Sequence, residues 1–312
     1  MSFLYDEQIA SQPEAVRAVL AQDFPLLDPG RPIVFAGLGS SLHACRIAVH
    51  WSLERRAAAE RLAIDAHSAL LSLPLSSRDQ LVLVSHGGRG RFAAPLLEKA
   101  RAAGAFTAAV VGQGAPALPC DALVRTCPEE RAGTHSVSYT SALAALGGML
   151  GFDLGAAPAV LAAALAEPAP LAAARQLAGR EPLLVAGFGV DAISADEGAL
   201  KLKEGAFVWA EGLDVEQAIH GPLIALRPGM GAIVLQSARD GGRAAELARA
   251  CAALGAATVE LPEPASCPEL LRPFASVVPL QRLAAELARL TGGDPDQTRK
   301  DQEPWKSALP PA

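Results

Sequence analysis

The chain has 312 residues, of which 51% are hydrophobic and 19% charged, so its composition excludes a disordered protein and suits two α/β domains. Its formal net charge is −6 and it contains no run of Lys or Arg, so it lacks the electrostatic footprint of a nucleic-acid or anionic-lipid binder. The five cysteines form no CxxC pair, which argues against a disulfide framework and a zinc site. We expect neither a metal nor a cofactor.

The N-terminal residues do not resemble a targeting segment, because Asp6 and Glu7 stand where a signal peptide needs an apolar core. Residues 132–152 contain no Asp, Glu, Lys or Arg and reach membrane-span length. They include His135, several hydroxyl residues and a Gly pair, so a loop leading into a buried helix is the preferred interpretation. The sequence predicts a cytoplasmic protein with no membrane partner.

An internal repeat begins at residues 32–39 (PIVFAGLG), which recur 150 residues later as residues 182–189 (PLLVAGFG). Each copy is an apolar run ending in Gly-x-Gly, as expected for a buried parallel strand that enters a tight turn before a helix. A second strand, at residues 81–84 and 232–235, repeats with nearly the same offset, and so does the helix after it. The two halves are therefore predicted to share one fold.

Strands that alternate with helices predict an α/β protein with two tandem doubly wound parallel-sheet domains. Pro158, Pro168 and Pro170 interrupt the Ala-rich stretch between the halves. The predicted domains are residues 1–160, with a leading helix, and residues 161–312, with a C-terminal tail. Ligands of such sheets bind at the carboxyl ends of the strands, so the loops there are the expected binding site.

The loop after the first strand contains Gly39, Ser40 and Ser41. It places two hydroxyls at a helix N-terminus, where backbone N–H groups and the helix dipole favour an anion. The same letters are equally typical of a plain strand-to-helix turn with a Ser cap, and the two readings stay open at this loop.

A second loop follows the next strand of the same half and consists of Ser85, His86, Gly87, Gly88 and Arg89. Both loops are expected to open on one edge of the sheet, because consecutive parallel strands end there. Two anion-suited loops on one edge predict a sugar-phosphate site more strongly than either loop does by itself.

The second half carries a charged helical segment. Glu197, Lys201 and Glu204 are spaced by four and three residues, so they share one helix face. Charges with this spacing most often form a solvated Glu–Lys pair. His220 follows Glu204 by sixteen residues and stands alone in a Gly-Pro turn before an apolar strand.

At these residues the sequence resembles the double-domain sugar isomerase (SIS) family. EGALKLKE at residues 197–204, followed by HGPL at residues 220–223, is similar to the isomerase half of glutamine:fructose-6-phosphate amidotransferase and to related deaminases, deglycases and ketose/aldose isomerases. The resemblance extends to GSSLHA at residues 39–44 and DPDQ at residues 294–297. It implies flavodoxin-like SIS domains without the glutaminase half, since Ser2 stands where amidotransferases have a cysteine.

The resemblance also implies roles for the residues of the second half. Glu204 would move a proton between C1 and C2 of an open-chain sugar, and His220 would open the ring. Lys201 and Glu197 would support the site. In the family the His comes from the neighbouring subunit, so the resemblance implies a homodimer with shared active sites that act on a small anionic sugar.

On the anion-binding side the resemblance implies that Ser41 and Ser85 hold the phosphate. The chain departs from the family in the loop that begins at Ser85, where glycine replaces two hydroxyl residues. Arg89 could instead bind the anion through a bidentate contact. His135 stands where the family has Ser. We therefore expect different substrate contacts at both ends of the site.

The family's synthase carries a lysine near its C-terminus that forms a Schiff base with the ketose. The equivalent spacing falls on Glu303 here, and the nearest lysines are Lys300 and Lys306. Imine chemistry needs a buried or screened lysine, whereas acidic neighbours keep an exposed lysine protonated. A Schiff base at Lys306 is left open.

The leading functional hypothesis is an aldose–ketose isomerase, deaminase or deglycase that acts on a sugar phosphate or a similar anionic sugar. The alternative is a non-catalytic regulatory protein of the same fold that binds a sugar phosphate. A DNA-binding regulator is disfavoured, because the residues before the first strand have room for about one helix and no helix-turn-helix.

Overall fold

The computed structural model describes residues 2–55, 59–264 and 267–310. The chain divides into two compact units. The N-unit comprises Ser11–Glu130 and Val137–Pro158, and the C-unit comprises Met1–Ala10, Arg131–Ser136 and Ala159–Leu309. The domain limits of 1–160 and 161–312 stay predictions.

A five-stranded parallel sheet forms the centre of the N-unit, with strand order β2-β1-β3-β4-β5. The elements up to residue 149 are α1 (Leu4–Leu20), β1 (Ile33–Gly37), α2 (Ser40–Glu54), β2 (Arg61–Asp65), α3 (Ala66–Ser72), β3 (Gln80–Val84), α4 (Ala93–Ala102), β4 (Phe106–Val111), β5 (Ala122–Arg125) and α5 (Val137–Met149). Strands β1 and β3 are buried along their whole length, which explains why every residue of the two strands except Gln80 is apolar or glycine.

The C-unit contains a four-stranded parallel sheet with strand order β7-β6-β8-β9. The elements from residue 157 onward are α6 (Ala157–Ala166), α7 (Leu171–Leu177), β6 (Leu183–Gly187), α8 (Val190–Gly205), β7 (Ala210–Asp214), α9 (Val215–Ile219), β8 (Gly231–Leu235), α10 (Arg243–Ala253), β9 (Ala257–Leu261), α11 (Arg272–Thr291) and α12 (Trp305–Ala308). The two parallel α/β sheets that the sequence predicts are confirmed.

Helices cover both faces of the C-unit sheet. Along β6, Leu183 and Val185 belong to one apolar cluster, whereas Leu184 and Ala186 belong to another. Successive side chains of a strand point to opposite faces, so each face needs its own core. The helix α8 packs against α11 on one of these faces.

The internal repeat extends to backbone detail. Four strands of each sheet have the same order, and the helix after β1 and the helix after β6 are each capped by a glycine. Gly39 has φ 53° and ψ −129°, and Gly189 has φ 61° and ψ −121°. Both lie in the region that favours glycine, so the two strand-to-helix turns are built alike.

Residues 137–149 form the buried helix α5, as the sequence predicts for the long uncharged stretch. Over the residues that the structure describes, no single helix has the length and apolar composition needed to cross a membrane. In the same described part of the chain, one helix pair, α6 and α7, meets those criteria when taken together, and the two helices are bent by 69°.

Candidate functional site

In the N-unit the two loops that are predicted to bind an anion directly follow two neighbouring strands. β1 and β3 pair in parallel, so the loops after Gly37 and Val84 open on the same edge of the sheet. Helix α2 begins at Ser40 and its N-cap is Gly39. The serine cap of the plain-turn reading is therefore not formed, and Ser40 and Ser41 are half-buried residues of the first helical turn.

The second loop makes a tight turn. The backbone N–H of Gly88 donates to the Ser85 carbonyl, and Gly88 has φ 61°. A Cβ at Gly87 would meet nothing within 4 Å, so this side of the loop is open. Ser85, His86 and Gly87 are half-buried. The loop thus presents backbone and a serine where the family's loop has more hydroxyls.

His86 packs against the loop after β4. A Cβ at Gly112 would lie 2.6 Å from the His86 ring, so glycine is required for this approach. The Glu130 N–H donates to His86 Nε2 at 3.4 Å, and the Glu130 carboxylate accepts from the first N–H groups of α5. His86 therefore joins the anion loop to the start of α5.

Arg89 contacts the loop after β4 and the side chain of Glu129. Its guanidinium donates to the Gly114 carbonyl at 2.9 Å and lies 3.5 Å from a carboxylate oxygen of Glu129. Both charged side chains are exposed, at 60% and 66%. Within the described part of the chain, no hydrogen bond or ion pair joins Arg89 to Ser40 or Ser41. The role of Arg89 in anion binding stays a prediction.

The charged face of α8 lies in the C-unit and is buried. Lys201 and Glu197 are fully buried, with Lys201 Nζ 3.4 Å from Glu197 Oε1. The same ammonium donates to Glu204 Oε2 at 2.7 Å, and 35% of the Glu204 side chain is exposed. The solvated-pair interpretation is therefore wrong. One buried cation holds two carboxylates, of which only Glu204 is open to a ligand.

The contacts of His220 lie outside this cluster. It ends α9, 75% of its side chain is exposed, and its Nε2 lies 3.3 Å from Glu216. A hydrogen bond from Arg243 holds the pKa of Glu216 below its usual value. Among the residues that the structure describes, no hydrogen bond or ion pair joins His220 to Glu204.

His135 lies half-buried in the C-unit, in the segment that also contains Thr134. A Cβ at Gly205, the neighbour of Glu204, would lie 3.4 Å from Thr134 Oγ1. That hydroxyl is buried and has no hydrogen-bond partner in the described ranges 2–55, 59–264 and 267–310. The segment therefore adjoins the C-terminal end of α8, and no sequence signal distinguishes Thr134 in advance.

The C-terminal tail is attached to the same segment. Asp296 accepts hydrogen bonds from the N–H groups of Leu4 and Tyr5 at 2.8 and 2.9 Å, and the Thr134 N–H donates to the Pro295 carbonyl. Asp296 thereby caps α1. In the sequence, Asp296 is distinguished only as part of DPDQ at residues 294–297.

The two lysines of the tail are exposed. Lys300 lies within the 3-10 turn Arg299–Asp301, and Lys306 is the second residue of α12. Exposure provides none of the desolvation that would make a lysine a ready nucleophile for a ketose. The structure supplies no support for a Schiff base at Lys306.

A buried ion pair at the start of α8 is absent from the sequence predictions. Arg272 and Asp191, 2% and 0% exposed, pair with their closest atoms 2.5 Å apart. Burial raises the pKa of Asp191, and hydrogen bonds from Arg272 and Ser276 oppose that rise. Burial disfavours the charge of Arg272, but its hydrogen bonds to Asp191 and Glu263 raise its pKa.

Metal chemistry has no candidate ligand set here: across the described residues, no group of three or more His, Cys, Asp or Glu could hold a metal ion. The cysteines of the chain are free. Burial raises the pKa of Cys127 and Cys251 to about 11, so these thiols are inert at neutral pH.

No protein-family model matches the chain. It is similar to the glutamine–fructose-6-phosphate aminotransferase (isomerizing) of Thermococcus kodakarensis, with 35% identity over 147 residues that cover 40% of this chain and 23% of the relative. The enzyme of the same name from Mycolicibacterium paratuberculosis is 33% identical over 168 residues, covering 47% and 27%. The chain thus matches about a quarter of the length of these relatives and is homologous to them over that part.

Solved structures match along almost the whole chain. The C-terminal domain of glucosamine-fructose-6-phosphate aminotransferase from Francisella tularensis superposes with a TM-score of 0.83 at 18% identity, covering 95% of this chain and 98% of that one. The chain has the sugar isomerase (SIS) fold. The same SIS fold occurs in glucosamine-6-phosphate deaminase from Thermotoga maritima, with a TM-score of 0.79, 18% identity and coverage of 95% and 97%.

Tagatose-6-phosphate ketose/aldose isomerase from Escherichia coli is a third SIS-fold neighbour, with a TM-score of 0.78, 16% identity and coverage of 95% and 96%. The three neighbours carry three different reaction names on one fold. The SIS fold therefore does not select among isomerase, deaminase and synthase chemistry, and the residues of this chain must do so.

Proposed function

We propose that this protein is an SIS-type enzyme that moves a proton between C1 and C2 of an anionic sugar, as an aldose–ketose isomerase, deaminase or deglycase. The observation that carries the proposal is the buried cluster on α8, in which Lys201 holds the half-exposed carboxylate of Glu204. A carboxylate fixed by a charge-assisted hydrogen bond and open on one side is suited to act as a general base.

The names of the similar proteins support a sugar phosphate as the substrate class. The curated relatives act on fructose 6-phosphate, and the structural neighbours include a glucosamine-6-phosphate deaminase and a tagatose-6-phosphate isomerase. In this chain the phosphate would bind at the loops after β1 and β3. The half-buried Ser41 and Ser85 and the open backbone at Gly87 provide hydroxyl and N–H donors there.

His220 would serve as the ring-opening group of a neighbouring subunit's site. Its side chain is 75% exposed and is not bonded to Glu204 of its own chain, as expected for a residue that acts across an interface. Ile224, four residues later, is 91% exposed, so the same turn offers apolar surface to a partner. A homodimer with shared active sites is part of the proposal, and so is a cytoplasmic location.

The alternative function is a regulatory protein that binds a sugar phosphate without turning it over. One observation favours it: a putative sugar binding protein from Salmonella typhimurium shares the fold, with a TM-score of 0.67 at 20% identity and coverage of 90% and 99%. The buried lysine of α8 weighs against it, since binding of a phosphate at the other unit's loops does not require a buried charged cluster.

Solvent deuterium exchange distinguishes the two functions. The protein would be incubated in heavy water with fructose 6-phosphate, tagatose 6-phosphate and glucosamine 6-phosphate, and the sugars analysed by mass spectrometry for deuterium at C1 or C2. Enzyme-dependent exchange into at least one sugar is the expected result. Binding of these sugars in a thermal-shift titration without any exchange would support the regulatory function instead.

A further inference from the structure

The internal repeat aligns Ser41 of the N-unit with Asp191 of the C-unit. Both are the second residue of the helix that follows a Gly-x-Gly turn, after the glycine caps Gly39 and Gly189. A Cβ at Gly37 would lie 2.8 Å from the Ser41 backbone, and one at Gly187 would lie 2.4 Å from the Asp191 backbone. The two turns approach their strands equally closely, so the two side chains start from equivalent positions.

The carboxylate of Asp191 is enclosed by donors. Arg272 Nε donates to it at 2.7 Å and Ser276 Oγ donates at 2.6 Å. It also lies in the first turn of a 16-residue helix, where the helix dipole favours a negative charge. This environment has the composition of an oxyanion site: a guanidinium, a hydroxyl and a helix N-terminus around one buried anionic group.

Arg272 spans the carboxyl edge of the C-unit sheet. Besides Asp191, its guanidinium donates to the carbonyl of Gln236, the residue directly after β8, and pairs with Glu263 in the loop after β9. The repeat aligns Gln236 with Ser85. Ser85 directly follows β3, which pairs with β1, and Gln236 directly follows β8, which pairs with β6. The side chain of Arg272 thus lies in the region of the C-unit that corresponds to the two anion loops of the N-unit.

We propose that Asp191 is a built-in anion that occupies the ligand crevice of the C-unit, with Arg272 as its cationic partner. The carboxylate takes the place that a phosphate or another small oxyanion would otherwise have. The crevice is therefore permanently self-occupied, whereas the equivalent crevice of the N-unit carries serines. This proposal concerns the C-unit and does not depend on the reaction that the protein performs.

An ordinary structural ion pair predicts a different behaviour when the carboxylate is removed. If Asp191 acts only as part of a salt bridge, Asp191→Ser leaves Arg272 as a buried cation without this partner. The variant is then less stable than the wild type, and no particular anion restores the lost stability. If the carboxylate replaces a bound oxyanion, the serine variant leaves the donors and the positive charge of the site to inorganic phosphate. Phosphate should then bind the variant at this position and restore its stability.

The test is a phosphate titration of Asp191→Ser, followed by thermal unfolding and by equilibrium dialysis with radiolabelled phosphate. The variant should have a lower Tm than the wild type without phosphate. Phosphate at about a hundred times its dissociation constant should raise the variant's Tm by about 5–10 °C beyond the change seen in the wild type. The variant should also bind one more phosphate per chain than the wild type does.

Two controls separate specific binding from the general stabilising effect of phosphate salts. Asp191→Asn keeps the size of the side chain and should show only the wild-type response. The double variant Asp191→Ser/Arg272→Met lacks the cation and should show no saturable gain. A folded Asp191→Ser protein with the phosphate response and phosphate count of the wild type would overturn the proposal.

If Asp191→Ser does not fold in the absence of phosphate, refolding yield replaces the thermal measurement. The denatured variant would be diluted into buffer with and without phosphate at matched ionic strength, and the soluble protein with native circular dichroism counted. If Asp191 occupies the crevice as proposed, phosphate should increase the yield of refolded Asp191→Ser. It should not increase the yield of the double variant. Equal recovery in both buffers, or no recovery in either, contradicts it.

Discussion

Lys201 Nζ donates to Glu204 Oε2 at 2.7 Å, and the ammonium is buried while the carboxylate is partly open. The two residues belong to the last two turns of α8. A buried cation is tolerated because Glu197 supplies a second carboxylate on its other side, at 3.4 Å. The buried ammonium of Lys201 therefore orients the Glu204 carboxylate, which is partly exposed.

Glu204→Gln should abolish proton transfer and leave sugar binding intact, because the amide keeps the shape of the side chain and loses its basicity. Loss of a positioned general base lowers the rate by about a hundred- to ten-thousandfold. Deuterium incorporation into the sugar measures the effect, and thermal shift with the same sugar measures binding. Glu211→Gln, which removes an exposed carboxylate of the C-unit, is the matched control. Exchange at the wild-type rate in Glu204→Gln would identify a different base.

Lys201→Met should destabilise the protein by about 3–5 kcal/mol, because it leaves the buried carboxylate of Glu197 without its cation. Urea denaturation followed by circular dichroism gives the change. Lys203→Met removes a neighbouring lysine of the same helix that lies over the Trp209 ring and should cost less than about 1 kcal/mol. Equal losses for the two variants would mean that the burial of Lys201 has no energetic consequence.

Mixing two inactive variants tests the shared active site. Glu204→Gln and His220→Ala chains each spoil every site of their own homodimers, but a heterodimer concentrates both defects in one site and leaves the other intact. Co-expression should restore about a quarter of the wild-type activity, since about half of the dimers are mixed. The absence of recovery in purified heterodimers would show that both residues serve the same chain's site, or that no dimer forms.

Arg89→Ala should weaken an anionic sugar by roughly ten- to a hundredfold if Arg89 contributes a charge-assisted hydrogen bond of about 1.5–3 kcal/mol. The corresponding neutral sugar should bind equally well to both proteins. Calorimetry with this pair of ligands gives the two affinities. Equal losses for both sugars would mean that Arg89 shapes its loop and does not recognise the charge.

Glu129→Gln tests the same residue from the other side. In the structure Arg89 is paired with the Glu129 carboxylate, which competes with a ligand for the guanidinium. Removing that charge should strengthen binding of the anionic sugar, and the gain should disappear in the double variant Arg89→Ala/Glu129→Gln. Unchanged affinity in Glu129→Gln would place Arg89 on the surface as a solvated side chain.

Local patterns in the sequence determined the two parallel sheets and the shared face of Glu197, Lys201 and Glu204. Apolar runs that end in Gly-x-Gly specify buried strands and tight turns through their own chemistry, and spacings of three and four residues bring side chains together on any helix. The offset of 150 residues also relates Gly39 to Gly189, which cap their helices with similar backbone angles. These properties depend on neighbours along the chain and can be read without the fold.

Tertiary packing decided which charges are buried and which partners they find. Charge spacing favoured a solvated pair on α8, but Lys201 is buried in the folded chain, and no short-range signal in the sequence reports that burial. Asp191 pairs with Arg272, which lies 81 residues further along the chain. Arg89 pairs with Glu129, which lies in the loop after β5. Ion pairs between distant residues depend on how the loops of the folded chain converge, because the position of each partner is set by the sheet and not by its own sequence.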